Sequence, residues 1–262
     1  MAEHQIVFDD GAAYEKMMGT WSRIAGDIFL DWLAPTPGLR WVDIGCGNGA
    51  FTERLVERCA PAEVQGIDPS AEQLSFASAR PAARLAKFRQ GDAMALPFAS
   101  NSFDVAVMAL VLFFVPDPAK GLAEMLRVVK PGGLAAVYVW DVVGGGMPHA
   151  AIGIELRAMG VNTARPPSFE VSRMEALQQL WTEAGLQDIE TRVITPQRTF
   201  ADFDDFWSIN MLGPVIGPSV RDLPPANVDE LKRRVRARLP ADAEGRITCS
   251  ARANAIKGRL PQ

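Results

Sequence analysis

The sequence predicts an α/β fold: a mostly parallel sheet with helices on both faces. Three observations carry that expectation. Strand-like and helix-like patterns alternate through the first 141 of 262 residues, which favours right-handed crossovers and parallel strands. The run from Val105 to Phe114 is apolar without alternation, as in a central strand covered on both faces. The acidic and glycine-rich segments (Asp43 to Gly49, Asp68, Asp92 and the stretch after Val107) all fall where predicted strands end. Open α/β sheets bind ligands outside those ends.

Each element follows from local pattern. Residues 12–33 place Tyr14, Met17, Met18, Trp21, Ile24, Ile28, Phe29 and Leu33 mostly at helical spacing, and APTPG at 34–38 breaks the run. LRWVDIG at 39–45 is a short buried strand, and GAFTERLVERCA after it is a helix. AEVQGID at 62–68 is the second strand. The helix at 70–80 opens on a capping box, Ser70 to Gln73. AKFRQGD at 86–92 is the third strand, and 103–114 holds the fourth. Residues 117–133 form a helix closed by a Pro-Gly-Gly turn, and LAAVYVWD at 134–141 is the fifth strand.

The remainder is less regular. Glycine and proline dominate 144–148 and 165–167. A helix spans 173–186, a strand 187–197, helical pieces 199–239, and a last strand 245–259. Two late strands separated by a long insert fit a sheet edge that carries a cap. The expected organisation is one domain over 1–262: an N-terminal helical segment at 1–38, a core at 39–141, and the rest at 142–262 with 199–239 as the insert.

Composition narrows the function. Hydrophobic residues are 48% and charged residues 22%, enough for a sizeable core. The net charge of -4 gathers no nucleic acid by charge alone. Cys46, Cys59 and Cys249 make neither a disulfide framework nor a metal site. The N-terminus resembles neither a signal nor a transit peptide, and the apolar stretch 105–116 is too short to span a membrane. A soluble cytoplasmic protein is expected, with no metal and no nucleic-acid partner.

WVDIGCGNGA at 41–50 is the chemical signature. A glycine loop between strand and helix presents backbone N–H groups near the positive helix end. Gly45-x-Gly47-x-x-Ala50 also fits the dinucleotide spacing. Asp68 ends the second strand, where a carboxylate accepts both hydroxyls of a ribose. NAD and S-adenosylmethionine both carry that ribose, so Asp68 supports an adenosine cofactor without choosing one.

The ordered set of motifs resembles the class I S-adenosylmethionine-dependent methyltransferases. VDIGCGNG resembles their first motif, which here comprises Asp43, Gly45, Cys46, Gly47, Asn48 and Gly49. GID at 66–68, followed by Pro69, resembles the ribose motif. GDAMALPF at 91–98 resembles the adenine segment: Gly91, then Asp92 toward the adenine amino group, with Ala93 and Met94 beside it. FDVAVMALVLFFVPDP and RVVKPGG resemble the fourth strand and the turn before the fifth. The resemblance is strong over 39–141 and looser through 258. It is closest to the small-molecule branch of ubiquinone and menaquinone biosynthesis methyltransferases. It implies a Rossmann-like three-layer sandwich with sheet order 3-2-1-4-5-7-6, strand seven antiparallel, and a helical cap.

The resemblance also implies roles. The loop takes the methionine carboxylate, Asp43 favours its ammonium or braces the loop, and backbone near Ala109 approaches the tail. The segment at 14–22 closes as a lid, with Tyr14 and Trp21 near the methionine end. Where many relatives carry a histidine, this chain has Leu112, Phe113 and Phe114, which suit an apolar lining. Methyl transfer needs alignment and a dry site more than a covalent nucleophile. Of two histidines, His4 sits in the N-terminal tail and His149 follows the fifth strand, where it is the candidate general base. Asp141 and Glu155 are weaker candidates, and Trp140 is pocket wall or core. The aromatic insert at 199–239 is a substrate selector, a dimer face or the small core of the cap.

The expected activity is methylation of a small-molecule O, N or C nucleophile by S-adenosylmethionine, in a monomer or homodimer. An NAD(P)-dependent oxidoreductase and a non-catalytic S-adenosylmethionine-binding protein are the alternatives.

Overall fold

The computed structural model describes residues 11–262, without the side chains of Gly11, Tyr14 and Ala82. His4 and the first part of the expected 1–38 segment lie outside the described residues, as does the Tyr14 side chain. Helix α1 (Gly11–Tyr14) runs through a π-helical turn at Glu15–Gly19 into α2 (Thr20–Leu33). Then follow β1 (Arg40–Ile44), α3 (Ala50–Cys59), β2 (Glu63–Asp68), α4 (Ala71–Ser78), β3 (Ala86–Gln90) and β4 (Phe103–Ala109). Next come α5 (Pro118–Val128), β5 (Val129–Trp140), α6 (Ala150–Ala158), α7 (Met174–Glu183), β6 (Gln187–Ile194) and β7 (Gln197–Phe200). The chain closes with α8 (Phe203–Met211), α9 (Ile216–Arg221), α10 (Pro225–Arg238), β8 (Ile247–Ser250) and β9 (Ala253–Arg259).

The main sheet has seven strands in the order β3-β2-β1-β4-β5-β9-β6. Counted within that sheet, β9 is the seventh strand and the order is the expected 3-2-1-4-5-7-6. Strand β9 runs antiparallel to both β5 and β6, while the β1, β2, β3, β4 and β5 pairings are parallel. The continuous apolar run is central as predicted: Val105, Ala106, Val107 and Met108 are all buried. Chain reversals use the residues that suit them. Ser70 Oγ accepts the Gln73 N–H at 3.2 Å, and Asp117 Oδ1 accepts the Lys120 N–H at 3.0 Å ahead of a helix that starts on Pro118.

Three boundaries differ from the sequence expectation. The helix expected through 133 stops at Val128, and β5 begins at Val129 with an irregular register around the Pro131-Gly132-Gly133 turn. The strand expected at 187–197 ends at Ile194, a separate strand Gln197–Phe200 runs into the start of the stretch expected to be helical, and the strand expected at 245–259 is two strands. Strands β7 and β8 pair with each other in a separate two-stranded sheet. The division has a local cause. Ala251 donates to Pro196 O at 3.0 Å and Arg252 to Gly146 O at 2.9 Å, so the chain leaves one partner before joining β5.

The insert is helical, as expected. Its aromatic residues pack on one another: Phe203 stacks on Trp207 with centroids 6.0 Å apart, and Phe200 meets Phe206 edge-on at 5.3 Å. All four are buried. Of the three roles open to this aromatic set, the small core of the cap is the one its packing matches.

Candidate cofactor cleft and adjoining chamber

Strand β1 delivers the glycine loop to the sheet edge. Gly45, Gly47 and Gly49 have φ values of 74°, 52° and 78°, a region that favours glycine. A Cβ on Gly45 would stand 2.4 Å from Val111 Cγ2, so the loop presses against the segment that follows β4. A Cβ on Gly47 would meet nothing within 4 Å, because the loop tip faces open space. The loop N–H groups are largely spent inside the protein. Gly45 and Cys46 both donate to Ile67 O, Gly49 donates to Cys46 O, and Gly47 donates to Asp68 Oδ2 at 2.8 Å.

Asp43 is fully buried. Its Oδ2 accepts from Thr52 Oγ1 at 2.6 Å, while its Oδ1 is buried with no partner. Burial pushes the Asp43 carboxyl up to about 7, against the Thr52 hydrogen bond and with a further push from Asp68. Asp68 is also buried, and its Oδ1 accepts the Ser70 N–H at 2.9 Å. Burial raises its pKa, and these two backbone donors oppose the rise. At the end of β3, Asp92 is exposed and its Oδ1 accepts the Met94 N–H at 2.8 Å. Gly91, Ala93 and Met94 are half-buried beside it, while Pro69 is exposed after β2. Cys46 is buried and its thiol is pushed well up, so it packs the loop. Asn48 is buried and its Oδ1 accepts the Ala50 N–H.

The structure thus gathers Asp43, the glycine loop, Asp68 and Asp92 along adjacent strand ends. An unpartnered buried carboxylate oxygen, open space at Gly47 and two further carboxylates in strand order fit an adenosine ligand with an ammonium tail. Trp21 does not line this edge openly: it is 2% exposed and meets Trp140 edge-on at 6.3 Å. Ala109 is half-buried at the end of β4, next to Leu110, whose φ is 64°.

Several residues at the cleft carried no sequence signal. Glu15 pairs with Arg23 and Arg80, and its Oε2 accepts from Asn48 Nδ2 at 2.8 Å. Burial pushes the Glu15 carboxyl up, but the two guanidinium groups outweigh it and hold the pKa below the usual range. Arg80 also donates to Asn48 O and to Glu53. Thr52 is the other omission. Only its place one helical turn into α3, facing back to β1, could have suggested it.

Beside the cleft lies a chamber of about 380 Å³. Met17, Met18, Leu110, Phe113, Phe114 and Trp140 form its apolar side. The insert contributes Asn210 and Gly213 to Ile216. His149 lines it at the start of α6, half-buried; burial, then the charge of Arg157, pulls its imidazolium down to about 4. The two weaker base candidates are engaged elsewhere. Asp141 pairs with Arg252 at 2.7 Å and accepts the Gly144 N–H, while Glu155 pairs with Arg238 and, at 3.9 Å, with Arg234.

Among the described residues, no group of histidine, cysteine and acidic side chains is placed to hold a metal, and no helix is long and apolar enough to cross a membrane.

Comparison with known proteins agrees with this geometry. Residues 42–137 match the family described as a methyltransferase domain. Over 123 residues the chain is 39% identical to the ubiquinone/menaquinone biosynthesis C-methyltransferase UbiE of Cereibacter sphaeroides, covering 45% of this chain and 49% of that protein. The chain therefore spans about half the length of the curated relatives it matches. In fold it is similar to the YcgJ protein of Bacillus subtilis, with a TM-score of 0.59 and 18% identity over 91% of this chain and 98% of that one. It is also similar to the [4+2]-cyclase SpnF, with a TM-score of 0.56 and 20% identity over 100% of this chain and 87% of that one. The carboxylates at the ends of β1 and β2 lie inside the matched region, so Asp43, Asp68 and the glycine loop between them belong to the part of the chain that matches a methyltransferase domain.

Proposed function

We propose that this chain transfers a methyl group from S-adenosylmethionine to a small molecule held in the chamber. One observation carries the reading: the segment after β4 serves both sites. Val111 packs against Gly45 of the cofactor loop, while Leu110 and Phe113 on either side of it line the chamber. A cofactor on the loop and an acceptor in the chamber would be separated by this one turn of chain.

The cofactor supplies an electrophilic methyl group, and the chain does the rest. Asp68 binds the ribose hydroxyls, Asp92 the adenine amino group, and Asp43 the ammonium through its unpartnered Oδ1. Gly91, Ala93, Met94 and Pro69 shape the adenosine pocket, and Ala109 offers backbone to the tail. The apolar chamber wall excludes water, which favours alignment of nucleophile and methyl group. His149, neutral at pH 7, accepts the acceptor's proton where the nucleophile is a hydroxyl. The segment at 14–22 acts as lid and 199–239 as substrate-side cap.

The acceptor is a small molecule, as a chamber of about 380 Å³ and a net charge of -4 favour over a nucleic acid. Free, buried Cys46, Cys59 and Cys249 suit a reducing compartment such as the cytoplasm. The acceptor of the UbiE relative does not transfer automatically. The matched family region ends at residue 137, whereas most of the chamber lining follows it.

Calorimetry with S-adenosylmethionine, S-adenosylhomocysteine and NAD tests the cofactor. Saturable NAD binding with neither sulfur ligand bound overturns the reading. A methyl-transfer assay over quinols, phenols, amines and carboxylates then finds the acceptor, and light scattering separates monomer from homodimer. Retained turnover in His149→Gln for a hydroxyl acceptor removes the base assignment.

A further inference from the structure

The chamber is not uniformly apolar. Besides its apolar residues, α6 and the segment before α7 contribute Arg157, Arg165 and Arg173, against a single acid, Glu170. In a chain with 31 acidic and 27 basic side chains, such an excess around one small chamber is a local departure. The single acid is already engaged: Arg173 Nε lies 2.8 Å from Glu170 Oε2. Arg165 lies over the Phe169 ring, 5.0 Å from its centroid, with no carboxylate in ion-pair reach among the described residues. Arg157 likewise has no carboxylate partner among the described residues, and its side chain is open to solvent. An exposed guanidinium has little desolvation left to lose when it pairs.

The placement of Arg157 is specific. His149, Gly153 and Arg157 all line the chamber, and a spacing of four sets them on one face of α6. Helical side chains lean toward the N-terminus. A Cβ on Gly153 would stand 3.6 Å from Arg157 Nη1, so the guanidinium folds back over the bare glycine toward His149. The charge of Arg157 is felt at the His149 ring. The same chamber therefore holds an apolar wall, a neutral imidazole and a cation without a partner, in reach of one small molecule.

We propose that the chamber selects acceptors joining an apolar body to an anionic group, of which a carboxylate is the simplest, and that Arg157 binds the anion. The body lies against Phe113, Phe114 and Trp140. The carboxylate takes a forked pair of hydrogen bonds from the guanidinium, a geometry lysine does not offer, and Arg165 adds charge at the rim. The chamber then reads the anion through residues outside the matched methyltransferase region. The proposal rests on the methyl-transfer reading only for the name "acceptor"; the binding site stands on its own geometry.

The test is calorimetry on the full chain with two matched pairs: 2-naphthoate against 2-naphthamide, and octanoate against octanamide. At least one acid should bind ten times or more tighter than its amide. Arg157→Gln should erase that preference, while Arg246→Gln, at a surface ion pair with Asp242, should keep it. S-adenosylhomocysteine is titrated into the same proteins, which separates a failed cofactor reading from a failed anion site. Equal binding of acid and amide, no saturable binding of either acid, or a preference that survives in Arg157→Gln overturns the proposal. Thermal melts of both variants confirm that each compared protein is folded.

Discussion

Asp68 accepts the Gly47 N–H through Oδ2 at 2.8 Å, so the carboxylate that ends β2 and the tip of the glycine loop move as one unit. Its other oxygen is held by the Ser70 N–H. Each oxygen keeps a lone pair for a ribose hydroxyl. Asp68→Ala removes both the acceptor and the loop's anchor. Affinity for S-adenosylhomocysteine should fall about 10- to 100-fold, the span of about 1.5–3 kcal/mol for hydrogen bonds to a charged group. Calorimetry reads this directly, and unchanged affinity would remove Asp68 from the ribose site.

Two glycines of the loop should separate folding from binding. Gly45→Ala forces a Cβ to within 2.4 Å of Val111 at a φ of 74°, so it should lower stability by about 1–3 kcal/mol. Gly47→Ala meets nothing within 4 Å and carries only the strain of φ 52°. That change should cost about 1–2 kcal/mol in stability yet place a methyl group in the open cleft. Denaturant unfolding beside calorimetry checks both. If Gly47→Ala binds S-adenosylhomocysteine as tightly as the parent, the space at the loop tip is not the cofactor's.

The contrast between those positions shows what a linear sequence reveals. The β1 to β5 alternation, the loop and the acids at strand ends were legible because parallel α/β sheets repeat a local pattern. Asp43, Gly45 and Asp68 were readable for the same reason. The exchange of partners at Ala251 was not, because Ile247 to Arg259 reads as one strand until β7 is known to compete for its first half. Glu15 and Arg80 were not legible either. They are 65 residues apart, and nothing in either neighbourhood announces that Asn48 lies between them. Part of the chamber was legible, in Phe113, Phe114, Trp140 and His149, but the structure packs the insert's aromatics on each other rather than on the chamber wall.

Glu15 is also where the N-terminal segment is fastened over the loop. It pairs with Arg80, whose side chain is only 10% exposed, and bonds to Asn48. Arg198 holds the next turn, donating to Lys16 O and to Met17 O at 3.0 Å. Glu15→Ala leaves Arg80 with Glu53 as its remaining carboxylate partner and should lower stability by about 1–3 kcal/mol. Amide exchange over 15–19 should quicken in Glu15→Ala and in Arg198→Ala, and quicken most in the double variant. Unchanged exchange in all three would show that the segment is held by its apolar packing alone.

Asp43 and His149 should give the unliganded protein opposing pH dependences. The Asp43 carboxyl is raised from an ordinary 3.8 to about 7. Between those values the folded state keeps a proton that the unfolded chain has lost, so stability falls as pH rises and levels off above about 7. The His149 imidazolium is lowered from an ordinary 6.5 to about 4. Between those values the unfolded chain binds a proton that the folded state refuses, so stability rises with pH and levels off above about 6.5. Each slope reaches about 1.4 kcal/mol per pH unit, and between about pH 4 and 6.5 the two nearly cancel. Asp43→Asn keeps the shape and stays neutral, so relative to the parent it should gain stability as pH rises through this window. His149→Gln should do the reverse. Urea unfolding of the three proteins at pH 4.5, 5.5, 6.5 and 7.5 reads both differences. Parallel curves for parent and Asp43→Asn would mean that Asp43 is ionised in the folded state across the window. Its unpartnered oxygen would then need a cation from the chain itself rather than from the ammonium of a bound cofactor.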